Sequence, residues 1–349
     1  MNAEERYRQL TATRSGILLS IETSCDETAA AVVKNGREVL SNTVYTQIPL
    51  HKVYGGVVPE IASRSHVEKI GTVVDTALTE AGVTHEDLSG IVVTHGPGLV
   101  GALLVGLNYA KGLSLAWDLP FAGVNHIASH IAANYITFPD LEPPFTCLVA
   151  SGGHSHIIRV DGYNRYTLIG RTRDDAAGEA FDKIARILGL PYPGGPELEK
   201  LAKEGDPKAI RFRSAFNEGD SFDFSFSGLK TAAINELHTR EQRGETVNRA
   251  DIAASFQHTL VEVLSEKAVR AAVVQGDKTL ALAGGVSANT ALREALRQKC
   301  ERRGIRFCCP DFRYCTDNAA MVGSAGFYRL LSAPPDGFDL NAVPNLAIV

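Results

Sequence analysis

Two stretches decide the fold: Ile17–Gly36, ILLSIETSCDETAAAVVKNG, and Phe145–Gly162, FTCLVASGGHSHIIRVDG. Each runs from an apolar segment through a loop of small and polar residues to a second apolar segment and a tight turn. Asn35-Gly36 and Asp161-Gly162 are strong hairpin signals, because both central residues of the favoured two-residue turns take positive φ. Each stretch therefore predicts strand, polar loop, strand, turn, strand, and the pattern occurs once in each half of the chain.

A second pattern is also repeated. Ile91–His95 is a predicted strand followed by the turn Gly96-Pro97-Gly98-Leu99-Val100-Gly101 and a small-residue helix reaching Gly112. Thr279–Ala283 is followed in the same way by Gly284–Asn289 and a helix from Thr290 to Arg302. Helical apolar spacing also runs from Val67 to Ala81 and stops at Gly82. Loops at strand ends with open N–H groups and hydroxyl side chains suit phosphate oxygens, and glycines let a ligand approach the backbone. Prolines and acidic residues between Pro139 and Pro144 mark a boundary between two lobes. The repeated hairpins resemble those of sugar kinases, Hsp70 and actin. That resemblance implies an α/β chain of two tandem ribonuclease-H-like domains with a nucleotide cleft between them.

The chain has 349 residues, 44% hydrophobic and 21% charged, enough for two sizeable cores. No apolar run reaches membrane-spanning length, and the charged start Met1–Arg8 lacks the apolar core of a signal peptide, so a cytoplasmic protein is expected. The six cysteines form no Cys-x-x-Cys pair and read as reduced thiols, Cys25 alone lying in a functional loop. A formal charge of −5 argues against a chain coated with basic residues for nucleic acid, while leaving room for a local patch.

His126 and His130 are four residues apart, just over one helical turn, and project from one helix face. They read either as two ligands of a metal or as core histidines. A site needs a further ligand, and Asp317, in the sequence Cys315-Thr316-Asp317-Asn318, is a candidate. Two histidines and a carboxylate leave positions open for substrate oxygens, as in catalytic metal sites. A zinc peptidase of the His-Glu-x-x-His type needs a glutamate beside the first histidine, and Ile127 stands there.

The strings IETSCDET (21–28), YGGVVPEIASR (54–64), GPGLVG (96–101), DDAAGEAFDK (174–183), YPGGP (192–196), DFSFSGLK (223–230), AGGVSAN (283–289) and CTDN (315–318), with His126 and His130, together resemble the tRNA N6-adenosine threonylcarbamoyltransferases, the TsaD family, in its bacterial branch. The resemblance runs from about Gly16 to Leu331. It implies transfer of threonylcarbamoyl from threonylcarbamoyl-AMP to N6 of adenosine 37 in tRNAs reading codons that begin with A. It further implies a divalent metal, Fe2+ in the usual assignment with Zn2+ as the other choice, on His126, His130 and Asp317. The adenylate is expected on Val149, Ala150, Ser151, Gly152, Gly153, Asp182, Gly195 and Asn289, Asp182 taking the ribose hydroxyls. Glu27, then Asp26, then His154 are the candidates for the base that removes the N6 proton. Glu27 and Asp26 read equally as loop-orienting groups. The implied partners are tRNA, a paralogous TsaB-type subunit and a small TsaE-type ATPase.

Small departures from the family pattern stand at Ser20, Ala150 and Ser155, where glycine, valine and threonine are usual. Val149 stands where the archaeal branch has a tyrosine ligand. Two basic clusters offer tRNA contacts or solvated helix faces: Arg293, Arg297, Lys299, Arg302, Arg303 and Arg306, and Arg171, Arg173, Lys183 and Arg186. The helix Arg64–Leu78 presents Val67, Ile70, Val73, Val74 and Ala77 on one face, for a partner or for the core. The expected domains are a flexible head at 1–15, a first lobe at 16–140, a second at 141–331 with an inserted helical segment, and a tail at 332–349.

Overall fold

Strand β1 (Ile17–Glu22) turns through the loop 23–26 into β2 (Glu27–Lys34), which turns at Asn35-Gly36 into β3 (Glu38–Thr46). On its other side β1 pairs in parallel with β4 (Gly90–Gly96), and β4 with β5 (Phe121–Asn125), giving the order β3-β2-β1-β4-β5. The second sheet repeats this connectivity. In it β6 (Phe145–Ala150), β7 (Ser155–Gly162) and β8 (Arg165–Arg171) are followed by β9 (Thr279–Ala283) and β10 (Arg306–Cys308), in the order β10-β9-β6-β7-β8. The computed structural model describes residues 1–212, 221–245 and 247–349.

The chain divides into a unit of Met1–Pro143, Gly162–Tyr166 and Pro310–Val349 and a unit of Pro144–Asp161 and Thr167–Cys309. One junction between the units lies between Pro143 and Pro144. The expected second lobe, 141–331, differs from the observed unit because Pro310–Val349 packs with the first sheet. The first unit carries helices α1 (Ala3–Thr13), α2 (Ile48–His51), α3 (Pro59–Ala81), α4 (Val100–Trp117) and α5 (His126–Thr137). The second carries α6 (Ala177–Ile187), α7 (Gly194–Ala202), α8 (Ser227–Gln242), α9 (Arg249–Gln275) and α10 (Thr290–Arg302), and the chain then returns to the first unit in α11 (Ala319–Ser332). The head expected to be flexible is helix α1. Asn2 and Glu5 form a reciprocal capping box, and Leu10 is buried.

Period-two alternation decides which helix meets which face of the first sheet. Leu19, Ile21, Ile91 and Val93 share a core with Ile70, Val73, Val74 and Ala77 of α3 and with Leu107 and Ala110 of α4. The intervening residues meet α11: Ser20 Oγ donates to Ala319 O at 2.7 Å, and a Cβ on Gly326 would lie 2.6 Å from the Val92 side chain. The apolar face of α3 is therefore core, and only Val67 of the five residues is exposed, so the helix does not offer that face to a partner. In the second unit Leu148, Ile157, Leu280 and Leu282 pack with Phe181, Phe224, Phe256 and Leu260. No helix among the described residues is long and apolar enough to cross a membrane.

The α11–β4 contact sets a packing limit. Gly326→Ala should destabilise the chain by ~1–3 kcal/mol through overpacking against Val92, read as a lowered denaturant midpoint. An unchanged midpoint would contradict the close approach.

Candidate metal and nucleotide sites

Helix α5 starts at His126, directly after β5, with Asn125 as its cap: Asn125 Oδ1 accepts from Ile127 N at 2.9 Å and Ala128 N at 3.2 Å. One turn on, His130 projects from the same face, and the two rings meet edge to face at 4.6 Å. Asp317 comes from the loop before α11, whose cap Asn318 also donates to Thr316 O. Its Oδ1 lies 3.1 Å from His130 Nε2 and 3.5 Å from His126 Nε2. The three ligand atoms lie within 4.8 Å of one another, so the group could hold a metal ion. Both histidines are largely buried yet share one carboxylate, an arrangement that plain core packing does not require.

Behind His126 stands a residue that motif reading does not single out. Glu22, fully buried at the end of β1, accepts from Ser24 N at 2.5 Å, Thr94 Oγ at 2.6 Å and His126 Nδ1 at 3.2 Å. A histidine that gives Nδ1–H to a carboxylate turns its Nε2 lone pair outward, the usual second partner of a metal-bound imidazole. Burial works against a charged His126, but Asp317 and Glu22 outweigh it and raise its pKa to about 9. Burial alone would push Glu22 up, and the charge and hydrogen bond of His126 hold it below the ordinary carboxylate value instead. The donor set and this backing carboxylate together fit a divalent metal.

The loop 23–27 is held by a second buried network. His66 of α3 bonds Cys25 O through Nε2 at 3.0 Å, and Thr28 Oγ lies 2.8 Å from its Nδ1. The carbonyl can only accept, so Nε2 carries the proton and Nδ1 accepts from the hydroxyl. Burial lowers the His66 pKa and keeps this neutral tautomer. Gln47 N donates to Asp26 O at 3.0 Å, and Gln47 Oε1 accepts from His51 Nε2 at 3.2 Å. Asp26 and Glu27 lie together in this loop. Burial first, then the charges of Asp317 and Asp26 and a hydrogen bond to Asp26, raise Glu27 to about 10. Glu27 is thus a proton holder at neutral pH, while burial and Asp26 push the Cys25 thiol far up, leaving it unreactive.

In the second unit the residues expected to hold the adenylate lie at the end of β6 (Val149–Gly153), in α6 (Asp182), at the start of α7 (Gly195) and after β9 (Asn289). Val149 and Ala150 are fully buried within β6 and paired in the sheet, so they shape the strand end behind the loop. Gly152 and Gly153 are exposed and open. The loop is braced by Ser151 Oγ, which accepts from His154 N at 3.1 Å, and by the start of α6, where a Cβ on Gly178 would strike Ser151 O at 2.7 Å. Ser155, the departure from threonine, accepts from Ala177 N at 2.9 Å. Gly284, at φ 88°, crosses Ala150 O so closely that a side chain would collide with it. The His154 ring lies 5.5 Å from that of His156, which burial and then Arg171 lower to about 4. Asp182 Oδ1 accepts from Gly194 N at 2.9 Å and Gly195 N at 3.2 Å, so its carboxylate shapes the start of α7. Asn289 caps α10 through Oδ1 and donates through Nδ2 to Gln257 Oε1 at 2.9 Å, a partner that carries no motif signal.

The basic clusters are laced with acids. Arg297 pairs with Glu294, Lys299 with Glu262 and Glu266, Arg173 with Asp223, and Lys183 with Asp175 and Glu179.

A duplicated five-stranded sheet with polar loops at the strand ends gives the chain an actin- and Hsp70-like fold, to which a His/His/Asp group able to hold a metal is added. Solved structures with this fold include HypF of T. kodakarensis, at TM-score 0.63 and 16% identity over 91% of this chain and 48% of that one. Another is component A of (R)-2-hydroxyglutaryl-CoA dehydratase from Acidaminococcus fermentans, at TM-score 0.53 and 16% identity, covering 91% of this chain and 99% of that one. The profile of the tRNA N6-adenosine threonylcarbamoyltransferases (TsaD) matches residues 38–324, and the chain belongs to that family. Curated relatives of that name include proteins of Clostridium perfringens (strain 13 / Type A), 56% identical over 95% of this chain and 98% of the relative, and Clostridium botulinum (strain Kyoto / Type A2), 54% identical over 95% and 97%.

The raised Glu27 pKa yields a signed prediction for the metal-free protein. The folded state holds the Glu27 proton up to about 10 and the unfolded state releases it near the ordinary 4.5. Folding is therefore penalised above pH 4.5, increasingly so as pH rises towards the folded value. Glu27→Gln should raise the melting temperature by ~2–4 °C at about pH 8, with the gain vanishing towards pH 4.5. A gain independent of pH would contradict the assignment.

Proposed function

We propose that the chain transfers the threonylcarbamoyl group of threonylcarbamoyl-AMP to N6 of adenosine 37 in tRNAs reading codons that begin with A, releasing AMP in the cytoplasm. The observation that carries the chemistry is the His126–His130–Asp317 group backed by buried Glu22, in a chain of the threonylcarbamoyltransferase family. Two histidines and one carboxylate suit Fe2+, and Zn2+ is compatible with the same donors. When bound, the metal supplies Lewis-acid stabilisation of the anionic oxygens of the donor.

The remaining work falls to the chain's own groups. The donor is a mixed carbamic–phosphoric anhydride with AMP as a good leaving group, whereas the N6 amine is a weak nucleophile because its lone pair is delocalised into adenine. Backbone N–H groups of Gly152 and Gly153 receive the adenylate phosphate, while the Ser151 N–H holds the loop closed on His154 O at 2.8 Å. Asp182 orders the Gly194-Gly195 turn and presents its carboxylate edge to the ribose, and Asn289, steadied by Gln257, lines the nucleoside side. Val149 and Ala150, fully buried, support the loop from within the sheet. Glu27 and Asp26, adjacent in the loop 23–27, are the carboxylates available to take the N6 proton. His154 serves the phosphate as a hydrogen-bonding neighbour of the loop. Phosphate contacts from the exposed ends of the basic clusters make tRNA binding salt-dependent. A paralogous TsaB-type subunit and a TsaE-type ATPase complete the active assembly. A peptidase reading has little to rest on, since Ile127 stands where the water-activating glutamate would be.

His126→Ala should empty the metal site and abolish transfer with the fold retained at reduced stability, since Glu22 loses its charged partner, whereas Glu22→Gln should keep the fold and weaken metal binding ~10-fold or more. Elemental analysis, circular dichroism and a transfer assay with partner subunits and threonylcarbamoyl-AMP read these outcomes. Undiminished transfer by a metal-free His126→Ala chain would refute the metal's role. Proteolysis by purified protein that disappears in the same variant, without tRNA modification, would favour the peptidase.

A further inference from the structure

The segment after α11 lies along the edge of the first sheet and reaches the residue next to the first metal-ligand candidate. Asp336 N donates to Phe121 O at 2.9 Å, and Asp336 Oδ2 accepts from Gly123 N at 2.8 Å, so it pairs with the outer edge of β5. Arg329 of α11 fixes Asp336 Oδ1 at 3.0 Å, and Phe338 stacks on Phe121. Leu340 enters the core beside α4, where Lys111 Nζ bonds its carbonyl. Val343 N then donates to His95 O at 2.8 Å, and Pro344 O accepts from Gly98 N at 3.0 Å. A Cβ on Gly96 would lie 2.1 Å from Val343 O, so this close contact requires glycine.

The path ends on Asn125, whose Nδ2 donates to Ala347 O at 3.1 Å. The other atom of the same amide, Oδ1, holds the first N–H groups of α5, the helix that begins at His126. One planar group thus ties the segment to the helix start and fixes its orientation. A second route converges on the same ring: Leu99 N, next to Gly98, donates to Ser24 O at 2.8 Å, and Ser24 Oγ lies 3.2 Å from His126 Nδ1.

We infer that residues Asp336–Ala347 form a strap that positions the His126–His130 helix for metal binding, with Asn125 as the positioning residue through which it acts. The inference rests on the ligand set proposed above. An edge strand needs cover in any case, and Asp336 supplies that. The contacts from Val343 to Ala347 lie beyond the paired part of β5 and are directed at the glycine turn and the helix cap. Metal affinity depends on holding ligand side chains in place, so loss of such outer contacts costs ~10–100-fold in binding.

Co2+ serves as the probe, its affinity measured by chelator competition and its ligand geometry by visible absorption. Three variants of the full chain are compared with the parent: Asn125→Ser, a chain ending at Ala342, and the two combined. Serine caps a helix about as well as asparagine but cannot reach Ala347 O. The expected result is Co2+ binding weakened ~10-fold in both single variants, with an altered spectrum and a nearly unchanged melting temperature in Asn125→Ser. The combined variant should be no weaker than the truncated chain, because both changes break one connection. Unchanged affinity in both single variants, or a full further loss in the combined one, overturns the strap. Should the truncated chain fail to fold, Asn125→Ser alone decides. Absence of Co2+ uptake by the parent overturns the ligand set and the strap with it, whereas uptake by the parent with unaltered variants overturns the strap alone.

Discussion

The arrangement around the metal candidates depends on one buried carboxylate. Glu22 is removed from solvent at the end of β1 and bonded by Ser24 N, Thr94 Oγ and His126 Nδ1. A charge so placed is tolerable only with its partners present, because leaving it unpaired in the interior costs several kcal/mol. Its hydrogen bonds therefore bind the first polar loop, strand β4 and helix α5 to a single geometry. The ring of His126 is held in one orientation with Nε2 directed to Asp317, and His130 follows one turn along the same helix.

The repeated sheet shows how one supersecondary pattern serves two kinds of chemistry. In both units the polar loop joins the first two antiparallel strands and the glycine turn follows the fourth strand. The first loop is rich in carboxylates and is anchored from behind by His66 and Gln47, so it offers acids. The second is Ser-Gly-Gly, braced by the close approach of Gly178 and by Ser155, so it offers N–H groups. The backbone path is similar and the side chains set the function, which is why the fold alone names no reaction.

Much of this was legible in the residues. The Asn35-Gly36 turn, the two glycine turns and the four-residue spacing of His126 and His130 are local signals, and each stands where the sequence places it; the second hairpin instead turns at Tyr163-Asn164, where Asn164 takes the positive φ, because Asp161 and Gly162 continue strand β7. Contacts made by distant residues were not legible. Nothing near Ser20 tells that its hydroxyl meets Ala319, nor does a histidine in α3 announce that it holds Cys25 O. The apolar stripe of α3 is equally compatible with core and partner, and only the sheet's alternation decides for the core. The head and the segment after α11 carried no motif, yet a capping box orders one and hydrogen bonds to β5 and the glycine turn order the other. Glu22 is the second residue of IETSCDET, but its burial and its bond to His126 exist only in three dimensions.

The central claim is that this chain forms N6-threonylcarbamoyladenosine in tRNA and uses the His126–His130–Asp317 group to do so. The most direct measurement is nucleoside mass analysis of total tRNA from cells depleted of the chain and then supplied with the parent or with Asp317→Ala. The account predicts that the modified nucleoside falls on depletion, returns with the parent and stays low with the variant. Unchanged nucleoside levels on depletion, or full recovery with Asp317→Ala, would contradict it.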